Sequence, residues 1–312
     1  MSTTTEFCYP LYDRAVNYFK IPVFNVLEFL AARWAGNIGG MGTYKSWPQG
    51  YVWRPVETER GLHEVAKTIN TGSVDLPFML QDHSIRIGVD DKELKRNPGK
   101  TADQIANAKL GTLLGTWRTS QTAQGLQALR DNVPALSGIG NWSNASSKPL
   151  TELKDLISDY RNNHGVEPNR IIFSHQAWDI LSENPSILPR IQYNSTQTLT
   201  PERLYELLGL DAATGTKIHR VTVPVGTAAP GPNVQTTGAN MLGSDVMLTF
   251  IDDQSQYDDL CGMAILYGGD SGPVEVPIKY RSDAEHTWWY EIGMSRQFVF
   301  PAIGLNNRIT VS

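Results

Sequence analysis

The apolar positions of this chain follow two periods, and the switches between them mark out strands and helices. Trp288, Tyr290, Ile292, Met294, Phe298 and Phe300 share one parity, with only Arg296 interrupting. That pattern predicts a long half-buried strand near the C-terminus. Val74, Leu76, Phe78 and Leu80 share one phase, whereas Ile85, Ile87 and Val89 share the other. The phase flips across Gln81-Asp82-His83-Ser84, so 73–90 is either a hairpin or one strand interrupted by a bulge. A ribbon of that length buries little within its own subunit, which makes it a candidate for contact with another chain. On that reading, a Gly-Ser linker in place of 83–86 leaves the monomer folded and blocks assembly.

Helical spacing takes over after Pro98-Gly99. Thr101 and Gln104 form a capping box, each able to satisfy the other's orphan amide. Ala106, Leu110, Leu113, Leu114, Trp117, Gln121, Gln124 and Ala128 then lie on or beside one stripe through about Arg130, a helix of about 45 Å. Gly111, Gly115 and Gly125 lower its propensity, so packing must hold it. Leu150, Leu153, Ile157 and Tyr160 make the next helix, ended by His164-Gly165. Pro168 forces Glu167 to be extended, 170–173 is a buried strand, and Ser174 caps a helix carrying Ala177, Trp178 and Leu181 that Asn184-Pro185 stops.

Thr200-Pro201 opens a further helix with Leu204, Leu207 and Leu208 inward and Gly209 at its end. Strands are expected at 217–223, 246–251 and 263–267, with 224–240 as a long exposed loop. Near the N-terminus, Phe24, Leu27, Leu30 and Trp34 predict an amphipathic helix, and the glycine-rich 36–42 a flexible arm. Spaced helices with a terminal strand returning to an earlier layer give an α+β protein with one discontinuous domain.

Composition narrows the function classes. With 40% hydrophobic and 19% charged residues in 312, the chain is ordinary globular protein, able to bury one large core or two modest ones. A net charge of −5 argues against wrapping nucleic acid by charge alone, although a container for nucleic acid is compatible with it. Cys8 and Cys261 are too few for a disulfide framework or zinc site. No signal-like opening and no membrane-length apolar run is present, so the protein is expected to be soluble and not secreted, and the sequons at Asn141, Asn144 and Asn194 to carry no glycan.

Candidate chemistry does not assemble into a site. Gly269-Asp270-Ser271-Gly272-Pro273 is one glycine short of the nucleophile loop of trypsin-like proteases, and the disulfides and histidine setting of that family are missing. Asp82-His83-Ser84 has triad residue types, but neighbours in an extended chain point to opposite faces. His63-Glu64 lacks the second histidine of a zinc helix, 36–42 lacks the lysine of a phosphate loop, and His175 reads as a capping or surface residue. The expectation is no catalytic residue, no metal and no cofactor.

Two charge clusters remain. Lys92, Lys95, Arg96 and Lys100 precede the long helix, and Asp252, Asp253, Asp258 and Asp259 form an acidic stretch without a basic residue nearby. They read as subunit-steering patches, as two solvated turns, or, for the aspartates, as a calcium loop lacking the usual ligand spacing.

Pro168, Asn169, Ala177, Trp178, Leu181, Asn184, Pro185, Ile187, Arg190, Ile191 and Tyr193 together resemble the major capsid proteins of tailed bacteriophages, the Hong Kong ninety-seven type coat fold. The likeness extends through Asn141-Trp142-Ser143-Asn144 and Thr200-Pro201-Glu202-Arg203-Leu204, covering roughly 55–225. It implies an N-terminal arm (1–54), an extended β-hairpin loop (55–97), a peripheral domain with a spine helix (98–148), an axial domain (149–285) and a peripheral return strand (286–312).

The same resemblance implies a non-enzymatic shell subunit. It would form hexamers and pentamers of an icosahedral head, assembled in the host cytoplasm and resident in the virion. Portal, scaffold and decoration proteins would be its partners, with double-stranded DNA held without sequence readout and no membrane. Candidate inter-subunit contacts are Val74, Leu76, Phe78, His83, Ile85, Arg86, Lys92, Lys95, Arg96, Asp258 and Asp259. The alternatives are an encapsulin-like nanocompartment shell and, from another class, a serine hydrolase using Ser271.

Overall fold

A computed structural model describes residues 6–7, 26–38, 40–48, 72–191, 198–210, 216–226, 238–252, 261–268 and 277–312. The first half contains β1 (Glu6–Phe7), α1 (Val26–Leu30), β2 (Ala32–Ile38), β3 (Met41–Ser46), β4 (Val74–Met79), β5 (Gln81–Asp90), α2 (Asp91–Arg96), α3 (Ala102–Asn132) and α4 (Pro149–His164). Next come β6 (Arg170–Ser174), α5 (His175–Glu183), α6 (Leu188–Ile191), α7 (Pro201–Leu208), β7 (Lys217–Val221), β8 (Pro224–Gly226) and β9 (Gly238–Asn240). The last strands are β10 (Asp245–Thr249), β11 (Ala264–Gly268), β12 (Ile278–Ser282), β13 (Thr287–Val299) and β14 (Asn306–Thr310).

The first sheet is built on β13. Residues 287–296 pair with β5, 287–291 with β12 and 295–299 with β11, all antiparallel. A residue bonded to two strands holds them on opposite edges, so β12 and β11 follow one another along the edge away from β5. β2 adds parallel to β11, and β1 lies against β12. The second sheet runs β14-β10-β6-β7, with only β6 and β7 parallel.

α3 spans 31 residues and begins with the capping box, Thr101 N–H donating to Gln104 Oε1 at 3.0 Å and Gln104 N–H to Thr101 Oγ1 at 3.3 Å. Its apolar stripe of Leu110, Leu113, Leu114 and Trp117 buries Val89, Tyr290 and Ile292 of the first sheet. Arg296, the one charge in the apolar parity of β13, is buried too. Its Nη2 donates to Gln124 Oε1 at 2.8 Å and the guanidinium lies 5.1 Å from the Trp117 ring. The helix thus supplies an acceptor and a π-face where that strand supplies a cation.

The second sheet carries the other large core, in which Trp142, Leu153, Ile171, Phe173, Trp178, Leu181 and Leu204 meet. Local signals there act as the sequence predicts. Ser174 Oγ accepts from Ala177 N–H at 3.1 Å, Thr200 caps α7, and Gly165 and Gly209 end their helices at φ 66° and 71°. Such φ values suit glycine because it lacks a Cβ.

Several expectations give way. The helix expected through Trp34 stops at Leu30, and Ala32–Ile38 becomes a strand, because the open edge of β11 offers a ladder that begins with Ala32 N–H to Met263 O at 2.9 Å. Phe24 lies outside the described residues. The glycine-rich 36–42 is accordingly the end of β2 and the start of β3 rather than a flexible arm.

The hairpin reading of 73–90 also fails, since β4 pairs with β3 while β5 pairs with β13. Leu80 marks the transfer, its N–H donating to Gly40 O at 2.8 Å. Residues 83–86 hold a central rung against β13, so a Gly-Ser linker there would unfold the first sheet instead of sparing the monomer. The division expected at 285 is crossed from both sides. β11 and β12, before it, belong to the first sheet, and β14, after it, to the second. Within 224–240, β8 and β9 form a short antiparallel pair, and 227–237 lie outside the described residues.

Candidate assembly surface

β3 and β4 form a two-stranded ribbon with both outer edges unpaired among the described residues. Two strands alone are at best marginally stable in water, so the ribbon must lean on something. It leans on its own subunit at both ends and through its middle. Phe78 sits opposite Gly42, where the ring takes the space a Cβ would need, and Phe78 and Tyr44 bury against Ala32, Ile251, Leu266 and Val299. Met79 N–H donates to Gln297 Oε1 at 2.7 Å, and Trp47 N–H to Pro301 O at 2.6 Å.

Apolar side chains are nevertheless left bare along both faces of the ribbon. Val74 and Leu76 share the face of Phe78 but are 59% and 37% exposed, while Met41 and Met79, cross-strand partners on the opposite face, are 74% and 60% exposed. Four of the seven exposed large apolar side chains among the described residues therefore lie on this one element. Clustering of this kind, unlike scattered exposure, marks an interaction surface.

The sequence-derived contact residues divide into two groups. Val74 and Leu76 are presented outward, and Lys92, Lys95 and Arg96 are exposed on α2. Phe78 and Ile85 are turned inward and are corrected on that ground. Phe78 is 4% exposed, and Ile85, opposite Ile292, packs on the α3 cluster. His83, opposite Met294, is half-buried on the same inner face, and burial, followed by the Arg296 cation and against the pull of Asp82, lowers its pKa.

Arg86 faces out but is engaged in its own subunit. It stacks 4.0 Å over the Trp289 ring, lies 3.9 Å from Glu285 and donates to Tyr280 Oη at 3.4 Å. Asp258 and Asp259 lie outside the described residues. Met41 and Met79 were missed, although Met79 breaks the parity of Leu76 and Phe78 and was open to detection as an off-phase apolar residue.

The other candidates do not converge. Asp82 and Ser84 register with Ser295 and Gly293 while His83 registers with Met294, so the histidine faces away from both neighbours. His175 begins α5, with Ser174 as its cap. Ser271, His63 and Glu64 fall outside the described residues. Among the described residues no group of three His, Cys, Asp or Glu is placed to hold a metal ion, and no helix is long and apolar enough to cross a membrane. One open groove of about 490 Å³ lies between the end of α3, α4 and β14, lined by Val133, Leu136, Tyr160, His164 and Ile303.

A long capped helix lies against a long strand, a second sheet carries flanking helices, and a two-stranded ribbon stands beside them. The chain has the Hong Kong ninety-seven type coat fold of tailed-phage capsids and encapsulins. It is similar over 97% of its length to 96% of a phage-related protein from Bordetella bronchiseptica RB50, at 15% identity and a TM-score of 0.69. It is also similar to the SrpI encapsulin of Synechococcus elongatus PCC 7942, at 11% identity over 93% of this chain and 88% of that one, with a TM-score of 0.53. The capsid protein of the cyanophage P-SCSP1u matches at 11% identity over 92% and 88%, with a TM-score of 0.51. No protein-family model and no curated protein matches the sequence.

Proposed function

We propose that this chain is a major capsid subunit that self-assembles into hexamers and pentamers of an icosahedral phage head enclosing double-stranded DNA. The observation that carries the reading is the ribbon: a coat-fold subunit presents Met41, Val74, Leu76 and Met79 to solvent on a two-stranded element that needs a further body to cover it. A neighbouring copy supplies that body many times over in a closed shell.

In this reading 98–148 and 286–312 contribute most of the peripheral domain and 149–285 most of the axial domain, with β11 and β12 joining the former and β14 the latter, and 1–54 and 55–97 supply the arm and extended loop. The reaching element joins the last two, because β3 comes from one and β4 from the other. The chain catalyses no reaction, meets portal, scaffold and decoration proteins during assembly, and holds DNA without base readout. Light scattering and negative-stain microscopy of the purified protein test the proposal. Capsomer-sized rings or closed shells are the expected result, and a strictly monomeric folded protein under all salt and concentration conditions, with scaffold supplied, overturns it.

The likeness to an encapsulin favours a second reading, a nanocompartment shell with protein cargo. Native particles that contain a cargo protein and no nucleic acid decide for it.

A further inference from the structure

We infer that the outer edge of β5, from Asp82 to Arg86, pairs antiparallel with the same edge of a second copy of this chain about a two-fold axis at Ser84. The contact deepens the assembly reading and rests on it for its place in a shell, where it joins one ring of subunits to the next.

β5 is the last strand of the first sheet and pairs on one side only, with β13, through ten consecutive residue pairs without a bulge. Asp91 N–H bonds His286 O at 3.0 Å and so continues that ladder. The bond fixes the phase: odd-numbered residues turn their backbone groups to β13, and even-numbered ones turn theirs outward. At either end the outward groups are engaged within the subunit. Leu80 N–H donates to Gly40 O at 2.8 Å, and Gly88 O accepts from Lys109 Nζ at 3.2 Å. Between them Asp82, Ser84 and Arg86 are exposed, and their backbone N–H and C=O groups have no partner among the described residues.

The edges of β14 and β4 are protected. Leu136 N–H bonds Arg308 O at 2.8 Å along β14, and Pro77 deprives β4 of an N–H. Nothing of that kind interrupts β5 from 82 to 86. An unbroken edge is a template for another strand, and charge selects which strand that is.

Asp82 and Arg86 stand four residues apart with Ser84 midway. In an antiparallel two-fold pair centred on Ser84, Asp82 of each copy lies opposite Arg86 of the other, on the same face. The pairs 82 with 86, 84 with 84 and 86 with 82 each exchange two backbone hydrogen bonds. A centre at 82 or 86 would oppose like charges, and a centre at 83 or 85 would place a pair at Leu80 or Gly88, whose outward groups are already bound. On the inner face His83 and Ile85, both half-buried, meet across the axis. Besides stacking on Trp289, Arg86 reaches only 3.4 Å to Tyr280 Oη and 3.9 Å to Glu285, and Asp82 accepts from Ser295 through one oxygen. A carboxylate opposite therefore competes for the guanidinium.

Sedimentation of the full chain tests the pairing with Asp82→Arg and Arg86→Asp, each alone, the two mixed, and both in one chain. Thermal unfolding confirms that each stays folded. Asp82→Arg sets arginine against arginine and Arg86→Asp sets aspartate against aspartate, so each is expected to weaken self-association about tenfold or more. An equimolar mixture of the two restores opposite charges on both sides of the axis, as does the doubly substituted chain. Both are expected to associate to within a fewfold of the unaltered protein. Ser84→Pro removes an N–H that bonds nothing within the subunit, so it is expected to block the ladder and leave the monomer folded.

Single variants that associate as the unaltered chain does overturn the pairing, as does a mixture no tighter than its components or a folded Ser84→Pro chain that associates normally. Rings or shells indifferent to these substitutions remove the pairing and leave the assembly reading standing. A charge-dependent dimer that builds no ring with scaffold supplied does the reverse, and no self-association at all overturns both.

Discussion

Gly125 of α3 lies under Leu27 of α1 so closely that a Cβ at position 125 would overlap the Leu27 methyl groups and stand 3.0 Å from Phe298. Leu27 has nowhere to retreat, being buried among Leu126, Leu129, Val133 and Ile265. The glycine that weakens the helix on paper is thus what allows α1 to cross it. Gly115, ten positions earlier, faces open space. Gly125→Ala is expected to destabilise the monomer by about 1–3 kcal/mol through overpacking, whereas Gly115→Ala gains about 1 kcal/mol of helix propensity. Urea unfolding midpoints moving in opposite directions would show this, and a shift of the same sign in both would refute it.

Arg130, in the last turn of α3, reaches Asp245 of β10 with Nη2 at 2.7 Å and Nε at 2.8 Å. Asp245 is 1% exposed and also accepts from Thr310 Oγ1 at 2.8 Å, with Arg308 at 3.9 Å. The pair ties the helix of the first sheet to the second sheet. Arg130→Met leaves a buried carboxylate with only the more distant cation, and is expected to cost about 2–3 kcal/mol, somewhat below a fully orphaned charge. Adding Asp245→Asn should cost little more, so a double-mutant cycle by chemical denaturation should show strong coupling. Additive losses would mean that the two side chains act independently.

What the sequence disclosed follows the range of the forces involved. The capping box of Thr101 and Gln104, the Ser174 and Thr200 caps and the Gly165 and Gly209 endings depend on neighbours a few residues apart, so spacing alone reveals them. Parity revealed β13 and even the position of Arg296, but not that Trp117 and Gln124 would receive it. Partners distant in sequence decided the rest. Ala32 to Ile38 is a strand because β11 has an open edge, and β4 leaves β5 because β3 offers a ladder. The assembly surface was half legible for the same reason. Alternation exposed Val74 and Leu76, but which apolar residues stay bare depends on where the subunit's own body ends, and that placed Phe78 and Ile85 inside and Met41 and Met79 outside.

Burial lowers the pKa of His83, His164 and His219, with Arg296 adding to the effect at His83 and Lys217 and Arg170 at His219. A lowered folded value means that the unfolded chain takes up protons first as pH falls past the ordinary histidine value of 6.5. Stability is therefore full above that value and is lost as pH falls from about 6.5 toward the lowered folded values. A second loss follows at lower pH from Asp103. Burial pushes its carboxyl up, but the Lys279 and Tyr290 donors outweigh that and hold it below its ordinary 3.8, so its contribution is present above 3.8 and disappears as pH falls through the lowered value. Urea midpoints at pH 7.5, 6 and 5 should decline in that order, with a shallower decline in His164→Gln. A flat profile across that range would contradict the histidine step.

Met41 and Met79 face each other across the ribbon and face solvent together, whereas Phe78, one residue away from Met79, is enclosed. Substitutions there should therefore separate assembly from folding. Met41→Ser with Met79→Ser removes apolar surface that the monomer does not bury, so monomer stability is expected to stay within about 0.5 kcal/mol. Each methionine half covered by a neighbour contributes about 1 kcal/mol to that contact, so the pair weakens it roughly thirtyfold. Repetition of the contact around a ring multiplies the loss, and the concentration needed for assembly should rise by more than tenfold. Phe78→Ala should behave the other way, costing about 3 kcal/mol of monomer stability as a core truncation. Sedimentation and urea unfolding on the same samples separate the two effects. Unaltered assembly by the doubly substituted methionine variant, with its fold intact, would remove the methionine face of the ribbon from the contact and leave Val74 and Leu76 to carry it.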